Sequence, residues 1–290
     1  MLSENAAPEA AAVLALAAGA SVVDLSVTLS ERLPCGWPGH MPFARKVWSW
    51  FEDVDLPIPE ACCSLGPYHT AFVLLDEHCG THLDGPTHFI PPSDSGLPWA
   101  GPLGDVPADR LDLSRLVCPA AVVDVRALAE SRERGVSPKV TRRKLRNWEE
   151  RHGPFRGGEA VLLWTGWTRH YQAAEGGRRF VFDPVVRRSG PGWPALDAPA
   201  AIFLAERGAS VVGIDAPSMG PVENPTAVHL EGLGRGLLYV EMLTNLEALP
   251  PRGAVFVFLP LKIAGSSGGP GRAIALVQTP DSPPDTESAA

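Results

Sequence analysis

Residues 75–90, LDEHCGTHLDGPTHFI, carry His78, His82, Asp84 and His88 in the spacing H-x3-H-x-D-x3-H. All four positions are even-numbered. In extended backbone successive side chains alternate faces, so the four groups share one side. A helix serves them less well, because Gly80, Gly85 and Pro86 oppose a helix interior and residues at i, i+4 and i+10 drift apart on a 3.6 period. The spacing therefore predicts a strand end running into a bent loop. Fully extended, His78 and His88 would lie roughly 33 Å apart, too far for one metal sphere. The chain must curl, and Gly85-Pro86 supplies the bend. Three of the chain's eight histidines fall in these eleven positions with an aspartate among them, a density that reads as a site rather than as separate core histidines. Imidazole and carboxylate without a thiolate suit a borderline divalent cation such as zinc or manganese, with room for an open coordination position. Cys79, odd-numbered, turns to the other face and reads as a small buried filler.

The run HCGTHLDGPTHF is similar to the signature of the cyclase, or kynurenine-formamidase-like, family of metal-dependent hydrolases, which also takes in isatin-hydrolase-like members. The pattern H-x-G-T-H-x-D-x-P-x-H is met at His78, Gly80, Thr81, His82, Asp84, Pro86 and His88. The resemblance implies an α/β fold with a single mixed-sheet domain of the swivelling β/β/α kind, assembled as a homo-oligomer. It further implies that the remaining ligands are a histidine followed twelve positions later by a glutamate. His229 and Glu241 stand at that separation in HLEGLGRGLLYVEMLTNL. Carried over, His78, His82 and Asp84 hold one metal; Asp84, His229 and Glu241 serve a second, with Asp84 and Glu241 bridging. One or two ions, zinc first and manganese second, would be bound. His88 falls outside the first set as proton donor and acceptor, and Trp37 becomes a pocket wall against an aromatic substrate. Independently of the family, Glu241 sits in an otherwise apolar strand, where an unpaired carboxylate is costly and a cation compensates.

The activity so implied is hydrolysis of an amide C–N bond, in an aryl formamide or an isatin-type cyclic amide, by hydroxide generated at the metal. Two other readings stand beside it: a polyketide-type ring-closing cyclase or dehydratase using the same metal site, and a non-catalytic, metal-stabilised binding protein. An unligated imidazole at position 88 argues against the last, since a structural site has no use for one. The family's cyclase members, together with long Pro-containing stretches at 52–68 and 91–107, point to an aromatic or polycyclic small molecule. A long irregular segment beside a site reads as a lid or binding loop.

Composition narrows the partners. The 290-residue chain is 45% hydrophobic, ample for a core, and its formal charge of −8 with dispersed basic residues argues against nucleic acid. The Ala-rich segment 10–20 follows Glu4 and Glu9 rather than a basic n-region, and no apolar run approaches a membrane span, so the expected location is the cytoplasm. Five cysteines without a disulfide or zinc-ribbon spacing are expected to be reduced.

Domain organisation is expected as a helical extension over 1–20 (helix 10–18), a hydrolase domain over 21–279 and a disordered tail at 280–290. Strands are expected at 22–28, 45–52, 70–75, 119–125, 160–164, 210–214, 237–243, 254–263 and 273–278. Helices are expected at 142–151, capped by Thr141 and ended by Gly153; at 197–208, capped by Asp197; and around His229. The basic residues of the first are expected to form a solvated face. Thr165-Gly166-Trp167 follows a strand where α/β folds place ligand contacts, and Asp215-Ala216-Pro217-Ser218 resembles a D-x-P-S turn of the family.

Overall fold

In chain order the strands and helices are β1 (Ala20–Asp24), β2 (Ala44–Ser49), β3 (Thr70–Leu74), β4 (His82–Asp84), β5 (Val117–Asp124), β6 (Lys139–Val140), α1 (Arg142–His152), β7 (Ala160–Trp164), β8 (Ala195–Leu196), α2 (Ala198–Glu206), β9 (Val211–Ile214), α3 (Thr226–Leu233), β10 (Leu238–Glu241), β11 (Arg252–Pro260) and β12 (Gly268–Gln278). The structure, a computed structural model, describes residues 19–51 and 68–278. The expected N-terminal helix, most of the 52–68 excursion and the expected tail lie outside the described residues.

The main sheet runs β1-β12-β11-β5-β7-β9-β10-β4, and β4 pairs in turn with β12. Seven strands thus form a closed ring, with β1 laid along the far end of β12. The parallel core β5-β7-β9-β10 is rich in Val, Leu and Ala, as strands buried on both faces must be. Side-chain alternation sorts these residues into two cores. Cys118, Ala120, Val122, Leu162, Val211, Leu238, Val240, Phe256 and Leu83 pack together in a cluster that contains no residue of α1, α2 or α3 and fills the ring. Their neighbours Ala121, Val123, Val161, Leu163, Val212, Ile214 and Tyr239 face outward to Leu145, Trp148, Ala200, Phe203, Val228 and Leu233 of the helices. Full burial of each Val, Leu, Ile or Phe among them contributes about 1.5–3 kcal/mol.

The helices obey their sequence signals. α1 buries only Leu145 and Trp148, one turn apart, and leaves its basic residues exposed or partly exposed, as the solvated-face reading requires. Trp148 also donates Nε1–H to the Val122 carbonyl, 3.0 Å away. Gly153 ends the helix at φ +82° and donates to Glu149. Thr141 occupies the N-cap position, but its hydroxyl makes no capping bond; Asp197 does cap α2, accepting from the Ala200 N–H at 2.8 Å.

Two strand boundaries depart instructively from expectation. β1 stops at Asp24, whose carboxylate accepts from the Ser26 N–H, and Ser26 forms a single bridge to Leu243. β12 begins at Gly268, five residues before the expected start, because Gly268, Gly269 and Pro270 pair with Asp84, Leu83 and His82. Two pairs stand outside the main sheet: β6 and β8, which are parallel, and β2 and β3, which bond only to each other and carry half-exposed Trp48, Phe72, Val73 and Leu74. No helix among the described residues is long and apolar enough to cross a membrane.

Candidate metal-dependent active site

Leu83 points into the ring, so its neighbours His82 and Asp84 point out of it, to the helix side. The antiparallel register sets Glu241 opposite His82 and Tyr239 opposite Asp84. Side chains directly opposite share a face. The same face receives His229 from α3, which is tied to β10 by the Tyr239 hydroxyl donating to the Val228 carbonyl at 2.9 Å.

Strand alternation accounts for His82 and Asp84 but not for their flanking histidines. His78 lies in the turn before β4, where its N–H donates to Asp76, and His88 ends the 3-10 turn Pro86–His88. The bend at Gly85-Pro86 is present, held by the Gly85 N–H on the Ser267 carbonyl at 2.9 Å. The curl brings the rings together: His78 and His88 lie 3.8 Å apart between centroids with their planes tilted by 31°, and His78 meets His82 edge-on at 5.2 Å. Thr81 braces the turn, donating its hydroxyl to the Met242 carbonyl at 2.6 Å and accepting from the Val27 N–H at 3.0 Å. Cys79 is fully buried, as its odd position predicts.

The ligand-capable atoms fall into two clusters, His78–His82–Asp84 and Asp84–His229–Glu241, each within 4.8 Å and all buried. Glu241 divides its oxygens between two imidazoles, and Asp84 meets three, the nearest being His78 Nδ1 at 2.7 Å from Oδ1. Asp84 Oδ1 is 3.4 Å from His82 Nε2, and its Oδ2 is 3.4 Å from His229 Nε2. Glu241 Oε2 is 3.6 Å from His82 Nε2, and its Oε1 is 3.3 Å from His229 Nε2. His82 Nδ1–H donates to the Gly80 carbonyl and His229 Nδ1–H to the Pro225 carbonyl, both at 2.8 Å, so each Nε2 lone pair faces the carboxylates. This is the outer arrangement that orients metal-binding histidines.

The electrostatics call for a cation. Asp84 and Glu241 are 1% and 4% exposed and meet no Lys or Arg among the described residues, whereas the equally buried Glu159 is paired with Arg252. Burial raises the Asp84 pKa, but His88, His78 and His229 around it hold the carboxyl well below its usual range. Burial opposes charge on His229 too, yet Asp84 and Glu241 push it up to about 10. Two buried carboxylates thus draw positive charge onto whatever lies between them, and their nitrogen and oxygen donors fit a borderline divalent ion. The residues present fit the group.

Around this centre a cavity of about 190 Å³ is lined by Trp37, His40, His88, Phe89, Pro217 and Met242 among others. A larger hollow of about 450 Å³, bounded by Asp24, Leu75 and Arg272, contains neither ligand cluster. Trp37 meets Trp193 edge-on at 6.0 Å, and Phe89 stacks on His229 at 4.5 Å. His88 is pressed down to a pKa of about 4 by burial, and no group among the described residues hydrogen-bonds its ring.

Two expectations fail here. Thr165-Gly166-Trp167 does not line the cavity: both N–H groups of Thr165 and Gly166 and the Thr165 hydroxyl bind the buried Asp215 carboxylate, and Trp167 is fully buried. That aspartate braces the turn whose Met219 N–H holds Glu241 Oε1 at 2.5 Å. No residue of 91–107 lines the cavity either; the segment folds on itself and on the helix-side core through Leu103. His40, Phe89, Pro217 and Met242 gain no role from sequence reading because they come from separate loops with no shared spacing. Phe89 follows His88, Met242, at φ +56°, follows Glu241, and Pro217 lies in the D-x-P-S turn, so three of the four sit beside or within stretches already singled out.

The chain matches the family model described as a putative cyclase over residues 23–221. It is 31% identical over 220 residues to an isatin hydrolase of Roseibium aggregatum, covering 73% of this chain and 76% of that one. It is 26% identical over 253 residues to a kynurenine formamidase of Bacillus mycoides, covering 87% and 95%. Among solved structures, isatin hydrolase A from Ralstonia solanacearum superposes with a TM-score of 0.74 at 28% identity, over 96% of this chain and 99% of that one.

Proposed function

The chain belongs to the putative cyclase family, and on that premise we propose that it is a metal-dependent hydrolase opening the amide C–N bond of an aryl formamide or an isatin-type cyclic amide. The observation that carries this reading is the sharing of Asp84 and Glu241 between His82 and His229, two buried carboxylates aimed at one space with imidazoles but no Lys or Arg among the described residues beside them. His78, His82 and Asp84 hold one ion; His229 and Glu241, with Asp84 shared, hold a second when it is present. Zinc is the first expectation and manganese the second, from the mixed nitrogen and oxygen donors.

When bound, the ion supplies Lewis acidity, bringing water within reach of deprotonation near neutral pH and polarising the scissile carbonyl. The chain does the rest. Trp37 and Phe89 offer apolar faces that seat an aromatic ring beside the carboxylates. Met219, through its N–H, keeps Glu241 pointed inward. His88 lines the cavity with no hydrogen bond to its ring from any described residue, so its nitrogens are available to take a proton from water and return it to the leaving nitrogen. The same unengaged imidazole favours catalysis over a purely structural metal site.

The exposed apolar hairpin β2–β3 supports a homo-oligomer, and the free thiols Cys35, Cys79 and Cys118 suit a reducing cytoplasm. The test is direct. Protein loaded with zinc or manganese is incubated with aryl formamides and cyclic amides, and products are read by mass spectrometry. Hydrolysis adds one water and is abolished by a chelator; a ring-closing dehydration would lose one instead. No product from the whole panel with either metal supplied would reject the proposal.

A further inference from the structure

The three imidazoles of the ligand clusters do not present the same nitrogen, and the difference traces to two residues outside those clusters. His82 and His229 spend Nδ1 on backbone carbonyls and face the carboxylates with Nε2. His78 is turned the other way. Its Nδ1 lies 2.7 Å from Asp84 Oδ1, and its Nε2 lies 3.0 Å from the Ser267 hydroxyl.

Proton counting fixes the direction of that last bond. Ser267 has one hydroxyl proton, and Glu77 Oε2 stands 2.8 Å from the hydroxyl and 2.9 Å from the Ser267 N–H. An ionised carboxylate only accepts, so both Ser267 donors serve Glu77. The hydroxyl oxygen is left with lone pairs for His78, and His78 Nε2 must carry the hydrogen. With the hydrogen on Nε2, the Nδ1 lone pair of this tautomer points at Asp84 Oδ1, 2.7 Å away, so that the two atoms can serve as neighbouring donors to one cation. Gly268 leaves space for the ring, since a Cβ there would come within 2.9 Å of His78 Cε1.

Resting on the metal-site reading above, we infer that Glu77 and Ser267 are positioning residues that hold His78 as its Nε2–H tautomer, so that this histidine offers Nδ1 to the ion while His82 and His229 offer Nε2. The chain Glu77–Ser267–His78 also passes negative charge to the ring from outside, which makes Nδ1 a better donor.

The experiment uses the full chain with nitrogen-15-labelled histidine, loaded with zinc and examined by long-range proton–nitrogen correlation NMR. The expected result is a hydrogen on Nε2 and zinc on Nδ1 of His78, with the reverse at His82 and His229. Ser267→Ala should raise the zinc Kd by about 10–100-fold, measured by competition with a chelating dye, and Ser267→Thr, which keeps the hydroxyl, should restore it. Glu77→Gln should also weaken zinc, because a carboxamide can donate to the serine and so turn the serine proton toward His78. A hydrogen on His78 Nδ1 in the zinc-loaded wild type, or a Ser267→Ala zinc Kd within about twofold of wild type, would overturn the inference. Neither readout needs a substrate. Zinc on Nδ1 in a protein that hydrolyses nothing would sink the amidase reading alone, whereas hydrolysis with zinc on His78 Nε2 would sink this one alone.

Discussion

Replacing Gly268 by Ala tests the link between the closure of the ring and the metal site. Gly268 lies opposite Asp84 in the short ladder that joins β12 to β4. An added Cβ would stand 2.1 Å from the Leu83 carbonyl oxygen and 2.9 Å from His78 Cε1. Ordinary C···O contacts begin near about 3.3 Å, so the overlap is roughly 1.2 Å against backbone, which cannot rotate away. One strand must move, and the three pairs Gly268–Asp84, Gly269–Leu83 and Pro270–His82 move with it. Overpacking costs about 1–3 kcal/mol where side chains can yield, and here the upper end is expected. At about 2–4 °C per kcal/mol for a chain of this size, the Tm should fall by about 6–12 °C. The displaced His78 and Asp84 should also weaken zinc by at least about tenfold. Gly269→Ala is the control: its Cβ meets the Leu261 carbonyl oxygen at 3.2 Å, a contact that a shift of a few tenths of an ångström relieves. Thermal unfolding by circular dichroism, with and without zinc, reads all of this. If Gly268→Ala melts and binds zinc like the wild type, or if Gly269→Ala does equal damage, the seam is not as tight as described.

His88→Ala should bind zinc within about twofold of wild type and lose about 10²–10⁴-fold in turnover; an unchanged kcat would refute its proton-transfer role. Asp215 gives a pH test. Burial lifts its pKa from 3.8 to about 6, although Thr165 and Gly166 oppose the lift by donating to it. The folded state therefore binds its proton more tightly than the unfolded one. Stability from this group is complete below pH 3.8 and is lost as pH rises toward and through about 6, so between pH 5 and 7.5 wild type should lose on the order of 1 kcal/mol relative to Asp215→Asn. Urea unfolding of both proteins in chelator, at the two pH values, measures the difference. Equal pH slopes would show that Asp215 ionises no differently in the fold.

What could be read from the chain followed from local rules. His82 and Asp84 share a face because β4 alternates, and Glu241 stands out because a carboxylate in an apolar strand needs a counter-charge. His78 and His88 reach the same place by a turn and a 3-10 segment, so the even-number argument grouped four residues that do converge, through a geometry that holds for only two of them. Ser267 and Glu77 could not be found this way: they are 190 positions apart and are joined only when Gly268–Pro270 pairs with β4. That Gly-Gly-Pro-Gly run reads locally as a loop, and only the close approach of the Leu83 backbone turns it into strand. Thr165-Gly166 misled for the complementary reason. Its N–H groups look free in sequence, and the buried Asp215 that takes them lies 49 and 50 residues downstream.

The hoop of strands is fastened by a clasp only three residues long, and that clasp is the piece bearing His82 and Asp84. Whatever is gripped between those side chains therefore also keeps the hoop shut. On the proposed metal reading, affinity for the ion and mechanical integrity of the scaffold draw on the same few hydrogen bonds, so stripping the metal should loosen the architecture as well as stop the chemistry.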